Sequence, residues 1–266
     1  MSVTVGAVIV GVLLALVPAN VWPLLLTRLG TPAGSAAEAV FLGVFVWWAN
    51  GGGAPAALRE RRRKAFRGMP RDGSAWLWTL IAAVSFAATV HAAIVFLFRL
   101  VPFPAEEFHR GYDFSFIPTR ALQCLAIVMS AVSAGVCEEI GFRGYMQQPI
   151  EDRYGARPAI VVSSLMFTLL HLTKGWALVG MVPIVFGAGV LLGALARASA
   201  SLVPGIIGHT IMDVGLFGFW WTGIAGTFTA RPVRETGLDV WFALTLATLA
   251  ASLLTVLFAI RRLRRR

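Results

Sequence analysis

Long apolar runs broken by short charged blocks define this chain. Charge-poor stretches cover Met1–Thr27, Ala39–Asn50, Gly73–Phe98, Ala121–Cys137, Pro158–Leu170, Gly175–Ala196, Ala198–Thr229 and Val240–Ile260. A helix needs about twenty mostly apolar residues to cross the hydrocarbon of a bilayer, so this pattern predicts about eight spans, all-α and polytopic. Ala39–Asn50 is too short alone and must borrow residues on both sides. Met1–Thr27 lacks the basic start of a secretory signal and is long enough to span, so it reads as a retained helix. Gly51–Gly53 and the basic block after it read as a solvated loop, and Val101–Thr119, with its prolines and aromatics, as an interfacial loop or short helix. No repeat and no second domain is visible, so residues 1–266 form a single membrane domain with N-terminal spans in 1–100.

Composition agrees. The chain is 58% apolar and 14% charged, against roughly half and a quarter in soluble domains. That excludes a soluble enzyme, a disordered chain and a disulfide scaffold. The net charge of +10 sits in short blocks between apolar runs, which suits membrane-protein loops rather than a nucleic acid partner; the lipid bilayer is the partner expected. Seven Lys and Arg fall in Arg59–Arg71 and five in Arg261–Arg266. With eight spans these blocks share one side with Arg153, Arg157 and Arg197, while Arg28, Arg110, Lys174, Arg231 and Arg234 lie on the other. The positive-inside rule then makes both termini cytoplasmic. An Ala-, Gly- and Arg-rich composition suggests a GC-rich bacterial genome and hence the inner (plasma) membrane. Cys124 and Cys137 lie on one predicted helix, ~20 Å apart along its axis, beyond the reach of a disulfide.

The acids carry the functional question. Of thirteen Asp and Glu, most fall at loops or helix ends. Ser35–Glu38 and Thr236–Asp239 read as capping boxes at helix starts. Glu138, Glu139 and Asp213 instead lie inside apolar helical patterns, where a charge is costly and marks function. His171 and His209 share that setting, whereas His91 reads as a satisfied core histidine and His109 as surface. Glu139 and Arg143 are spaced i,i+4 in the favourable order and should pair. Glu138, rotated about 100° from Glu139, is left over as a general-base candidate. Ala134, Gly135 and Gly141 around it allow a neighbouring helix close approach. A turn at Tyr154–Ala156 would put Glu138, seventeen residues before Gly155, level with His171, sixteen residues after it. Phe167 shares the His171 face, and His209 and Asp213 share a face of a later helix that opens with Pro204. Three helices thus direct polar groups toward one interior.

Glu138-Glu139-Ile-Gly-Phe-Arg143, Phe167-Thr-Leu-Leu-His171 and His209-Thr-Ile-Met-Asp213 follow one another as E-E-x-x-x-R, F-x-x-x-H and H-x-x-x-N/D. In this order they resemble the CAAX protease and bacteriocin-processing (CPBP, Abi) family, which includes the type II CAAX prenyl endopeptidases, intramembrane glutamic proteases. The resemblance covers about residues 121–219 as a catalytic core. It implies an endopeptidase acting on a membrane-attached peptide or protein without cofactor or metal. Glu138 would activate water, His171 would position it, and His209 and Asp213 would stabilise the oxyanion or orient its donor. Glu139, Arg143 and Phe167 would support the site. Many members carry Asn where this chain has Asp213; an ionised Asp would repel an oxyanion, so Asp213 is either protonated or orients another group. Three readings compete: a metal-dependent protease with Glu138, His171 and His209 as zinc ligands, a non-enzymatic immunity or scaffold protein, and a transporter. No H-E-x-x-H pair supports the first and no inverted repeat the last.

Overall fold

The structure, a computed structural model, describes residues 2–68, 72–109, 113–172 and 180–264. It is a polytopic bundle of helices, and no strand occurs among the described residues. The elements are α1 (Val3–Ala19), α2 (Val21–Leu29), α3 (Thr31–Ala49), α4 (Arg59–Phe66), α5 (Gly73–Leu100), α6 (Ala105–His109), α7 (Arg120–Glu138), α8 (Gln147–Tyr154), α9 (Ala156–His171), α10 (Val182–Ser199), α11 (Val203–Gly215), α12 (Val233–Thr236) and α13 (Val240–Arg264). Two π-helical segments, Glu139–Met146 and Leu216–Trp221, continue α7 and α11. Among the described residues seven helical stretches are long and apolar enough to cross a membrane, and the shorter apolar α9 lies between the fourth and fifth. About eight spans are expected; seven are found among the described residues, with shifted ends, and the run Pro158–Leu170 forms the shorter helix α9.

The shifts have local causes. The first run is interrupted at Asn20, which caps α1 two residues after Pro18. Gly30, with φ 71°, separates α2 from α3, and α3 draws its extra length wholly from the upstream side, from Thr31 on. Gly155, with φ 86°, makes the sharp turn between α8 and α9 that only glycine adopts without strain. In the run Ala198–Thr229 the first two residues end α10, and the spanning helix runs only from Val203 to Trp221. In Gly175–Ala196 the helix begins at Val182, and residues 175–179 lie outside the described residues. Arg110 and Lys174 lie outside them too. The described residues of Val101–Thr119 hold one short helix, α6, with His109 exposed at its end.

Both expected capping boxes are corrected. Ser35 and Glu38 lie within α3, not at its start, and both are buried. Asp239 caps α13 itself, accepting from the backbone N–H of Phe242 at 2.8 Å, while Thr236 belongs to α12. The Arg99 hydrogen bond, then that backbone N–H, hold the Asp239 carboxyl below its ordinary range.

One group of ion pairs joins α4, α8 and α10 at one end of the bundle. Arg67 and Arg197 both pair with Glu151, and Lys64 pairs with Asp152. Arg262 of α13 lies over the Trp78 ring at the start of α5. The core runs from Phe86, Ile94 and Phe98 of α5 to Leu192 and Leu195 of α10 and Trp220 beyond α11. α13 packs on α5 yet exposes Trp241, Leu244, Leu254 and Phe258, the outward apolar face expected against lipid tails.

Candidate active site

Glu138 ends the α-helical part of α7; from Glu139 the backbone widens to i→i+5 bonding through Met146. Single π turns inside α-helices recur at functional sites, because they re-aim the side chains that follow. This wide segment is seated on α1. A Cβ at Gly141 would meet the Gly11 carbonyl oxygen at 2.5 Å, and one at Gly11 would meet the Met146 Cβ at 2.6 Å. Only a glycine pair permits backbone contact at that distance.

The expected pairing of Glu139 with Arg143 is present. Nη1 lies 3.1 Å from Oε1, and both side chains are 0% exposed. Arg143 also donates from Nη2 to the Gly189 carbonyl at 3.4 Å and stacks on Phe167, its guanidinium carbon 4.4 Å from the ring centre. The same Glu139 Oε1 accepts from His209 Nδ1 at 3.0 Å. Its other oxygen, Oε2, fills the space that a Cβ on Gly205 would take, 2.7 Å away. Glu139 thus ties α7 to α11 through a glycine contact and an imidazole.

Tying down Nδ1 directs the other nitrogen of His209. Nε2 lies 3.5 Å from Asp213 Oδ2 and 3.9 Å from Glu138 Oε2. Glu138 keeps 17% of its side chain exposed, and its Oε2 makes no hydrogen bond among the described residues. It lines a cavity of about 220 Å³ together with His171 and Asp213. Phe167, Thr168 and Ser133 line it too, and apolar side chains make up most of the remaining wall. The height match across the Gly155 turn therefore brings Glu138 and His171 to one void.

His171 Nδ1 lies 2.8 Å from the Phe167 carbonyl oxygen. A carbonyl only accepts, so Nδ1 carries a proton, and whenever the ring is neutral Nε2 is its basic nitrogen. Phe167 stands between the two histidines, with ring centres 4.4 Å from His171 and 5.8 Å from His209. His91 has the hydrogen-bond partners expected of it but is half-buried on the cleft between α5 and α13 rather than in the core. It lies 3.1 Å by Nε2 from the Met212 carbonyl and accepts from Trp220 Nε1 by Nδ1 at 3.3 Å. Among the described residues no group of three His, Cys, Asp or Glu side chains is disposed to hold a metal ion.

One residue beside the site escaped sequence reasoning. Glu38 of α3 is fully buried and accepts from Ser133 Oγ at 2.8 Å, and Ser133 lines the cavity. Its S-x-x-E context hid it. The available signal was the apolar helical pattern continuing on both sides.

Residues 119–215 match the family model described as Rce1-like, type II CAAX prenyl endopeptidase. The resemblance to the CAAX protease family read from the three motifs is thereby upheld over this segment. No curated protein and no solved structure matches the chain.

Proposed function

We propose that this chain is an intramembrane endopeptidase, hydrolysing a peptide bond of a membrane-attached protein or peptide with water activated by Glu138 and His171. The observation that carries the reading is the one cavity lined by Glu138, His171 and Asp213, with His209 Nε2 3.9 Å from the Glu138 carboxylate. The similarity of residues 119–215 to type II CAAX prenyl endopeptidases supports it.

In this mechanism the basic Nε2 of His171 accepts one hydrogen of the water and holds it against Glu138. Glu138 takes the other proton as the water oxygen bonds to the scissile carbonyl carbon. The carbonyl oxygen becomes an oxyanion and accepts a hydrogen bond from Nε2–H of a doubly protonated His209. Asp213, 3.5 Å from Nε2, orients that imidazole in this reading. Glu138 then passes its proton to the leaving nitrogen as the C–N bond breaks, releasing an acid and an amine. Glu139 and Arg143 hold the frame and touch no reacting atom. In this reading both termini are cytoplasmic, in a bacterial inner membrane, and a prenylated tail is one substrate class among those a lipid-anchored chain offers.

The test compares the termini of membrane proteins and peptides in cells carrying wild type or Glu138→Ala at matched abundance. Termini that vanish in the variant identify a protease and its substrates. A positioned general base contributes roughly 10²–10⁴-fold, so the loss should be near complete. Identical sets of termini at equal accumulation overturn the proposal in favour of a non-enzymatic binding protein. If a chelator removes the same termini in isolated wild-type membranes, the water is activated by metal instead.

A further inference from the structure

A second cavity lies away from the catalytic one, on the outer surface between α5, α13 and the segment before α12. It is an open cleft of about 770 Å³. Its mouth is set by Arg99, Arg231, Thr236 and Asp239, at the end of the bundle opposite the Arg59–Arg67 block. Its floor descends along α5 past Val95 and Ala92 to Ala88, beside Leu244 of α13. From Arg99 to Ala88 is eleven residues, or ~16 Å of helix. That is about half of the ~30 Å hydrocarbon core, the depth of one leaflet. Trp241 on the rim is largely exposed, at the level where aromatic rings favour the interface.

The charge at the mouth is not balanced. Arg99 is only 3% exposed and donates from Nη2 to Asp239 and to Thr236. Its Nε–H is buried and has no acceptor among the described residues. A buried donor without a partner calls for an explanation. Asp239 is already engaged by Arg99 and by the Phe242 N–H. Arg231 is exposed and makes no ion pair among the described residues, so the mouth carries one net positive charge. A ligand fitting this shape has an oxyanion head to balance the exposed Arg231 and an apolar tail one leaflet long.

We propose that this cleft binds a single anionic phospholipid, its phosphate against Arg231 beside the Arg99–Asp239 pair and an acyl chain laid between α5 and α13 toward Ala88. The site stands independently of the catalytic reading.

Native mass spectrometry of the full chain tests it, with phosphatidylglycerol, phosphatidylcholine or inorganic phosphate added to the solubilised protein. Wild type should retain one phosphatidylglycerol at least tenfold more tightly than phosphatidylcholine. Arg231→Ala removes a surface charge and should erase that preference. Ala88→Phe fills the inner end of the groove and should weaken retention of both lipids. If Arg231→Ala and Ala88→Phe bind phosphatidylglycerol as wild type does, the lipid sits elsewhere and the proposal falls. Equal binding of the two lipids would show that the arginines do not read the headgroup. Competition by inorganic phosphate at equal concentration would make this an ion site rather than a lipid site. Either result overturns the assignment.

Discussion

Replacing Arg143 with alanine should unfold the site through the charge it leaves behind. Arg143 and Glu139 are both 0% exposed, and their ion pair is 3.1 Å long. Removing one member of a buried pair costs about 3–5 kcal/mol, chiefly because the other charge is stranded. Here Glu139 keeps its hydrogen bond from His209 Nδ1 at 3.0 Å, which offsets part of the penalty. The guanidinium contact with Phe167, 4.4 Å from the ring centre, is lost as well. These opposing effects put the expected cost near the lower end, about 3 kcal/mol, roughly a hundredfold in the folding equilibrium. In a chain of this size that is a fall in melting temperature on the order of 10 °C. The assay is thermal melting of the detergent-solubilised protein, read alongside Glu139→Gln and the double variant. If the stranded charge is the cause, adding Glu139→Gln to Arg143→Ala should recover a large part of the loss, because a neutral amide needs no counter-ion. Melting of Arg143→Ala at the wild-type temperature would refute the pairing argument. Strictly additive losses in the double variant would refute it equally, since directly coupled residues deviate from additivity.

Two further outcomes follow from the same geometry. Gly205→Ala places a methyl 2.7 Å from Glu139 Oε2, so it should destabilise the protein by about 1–3 kcal/mol and lower the yield of product termini even though no catalytic group is altered; wild-type melting together with wild-type cleavage would show that α11 can draw back freely. Asp213→Asn keeps a polar group facing His209 Nε2 at the observed 3.5 Å and should retain cleavage within about tenfold in a comparison of termini, whereas Asp213→Leu should abolish it; loss in Asn equal to that in Leu would mean the carboxylate charge itself is required.

The residues that carry this site differ in how far they could be read from the chain. The Glu139–Arg143 pair and the shared face of His209 and Asp213 are spacings within one turn of one helix, and helix geometry alone brings such residues together. The meeting of Glu138 and His171 at one cavity needed a single further assumption, a hairpin turning at Gly155 with its two arms antiparallel. The eight apolar runs were legible because a bilayer demands length and apolarity, which are properties of composition. What linear spacing could not contain is which helix faces meet. That Glu139, seventy residues from His209, accepts the Nδ1 hydrogen bond was decided by the contact of Gly205 with Glu139 across two helices. Ser35–Glu38 matched a cap in sequence because that motif is also what a buried acid three residues after a serine looks like; only the packing of α3 against Ser133 of α7 distinguishes the two. The π segment after Glu138, and the cleft between α5 and α13 that leaves Arg99 Nε without an acceptor, likewise arise from how neighbouring helices seat on one another. Periodicity and charge determine that the chain spans the membrane and where its costly acids lie; tertiary packing decides which of those acids share a proton, because that depends on ångström-scale contacts between residues far apart in sequence.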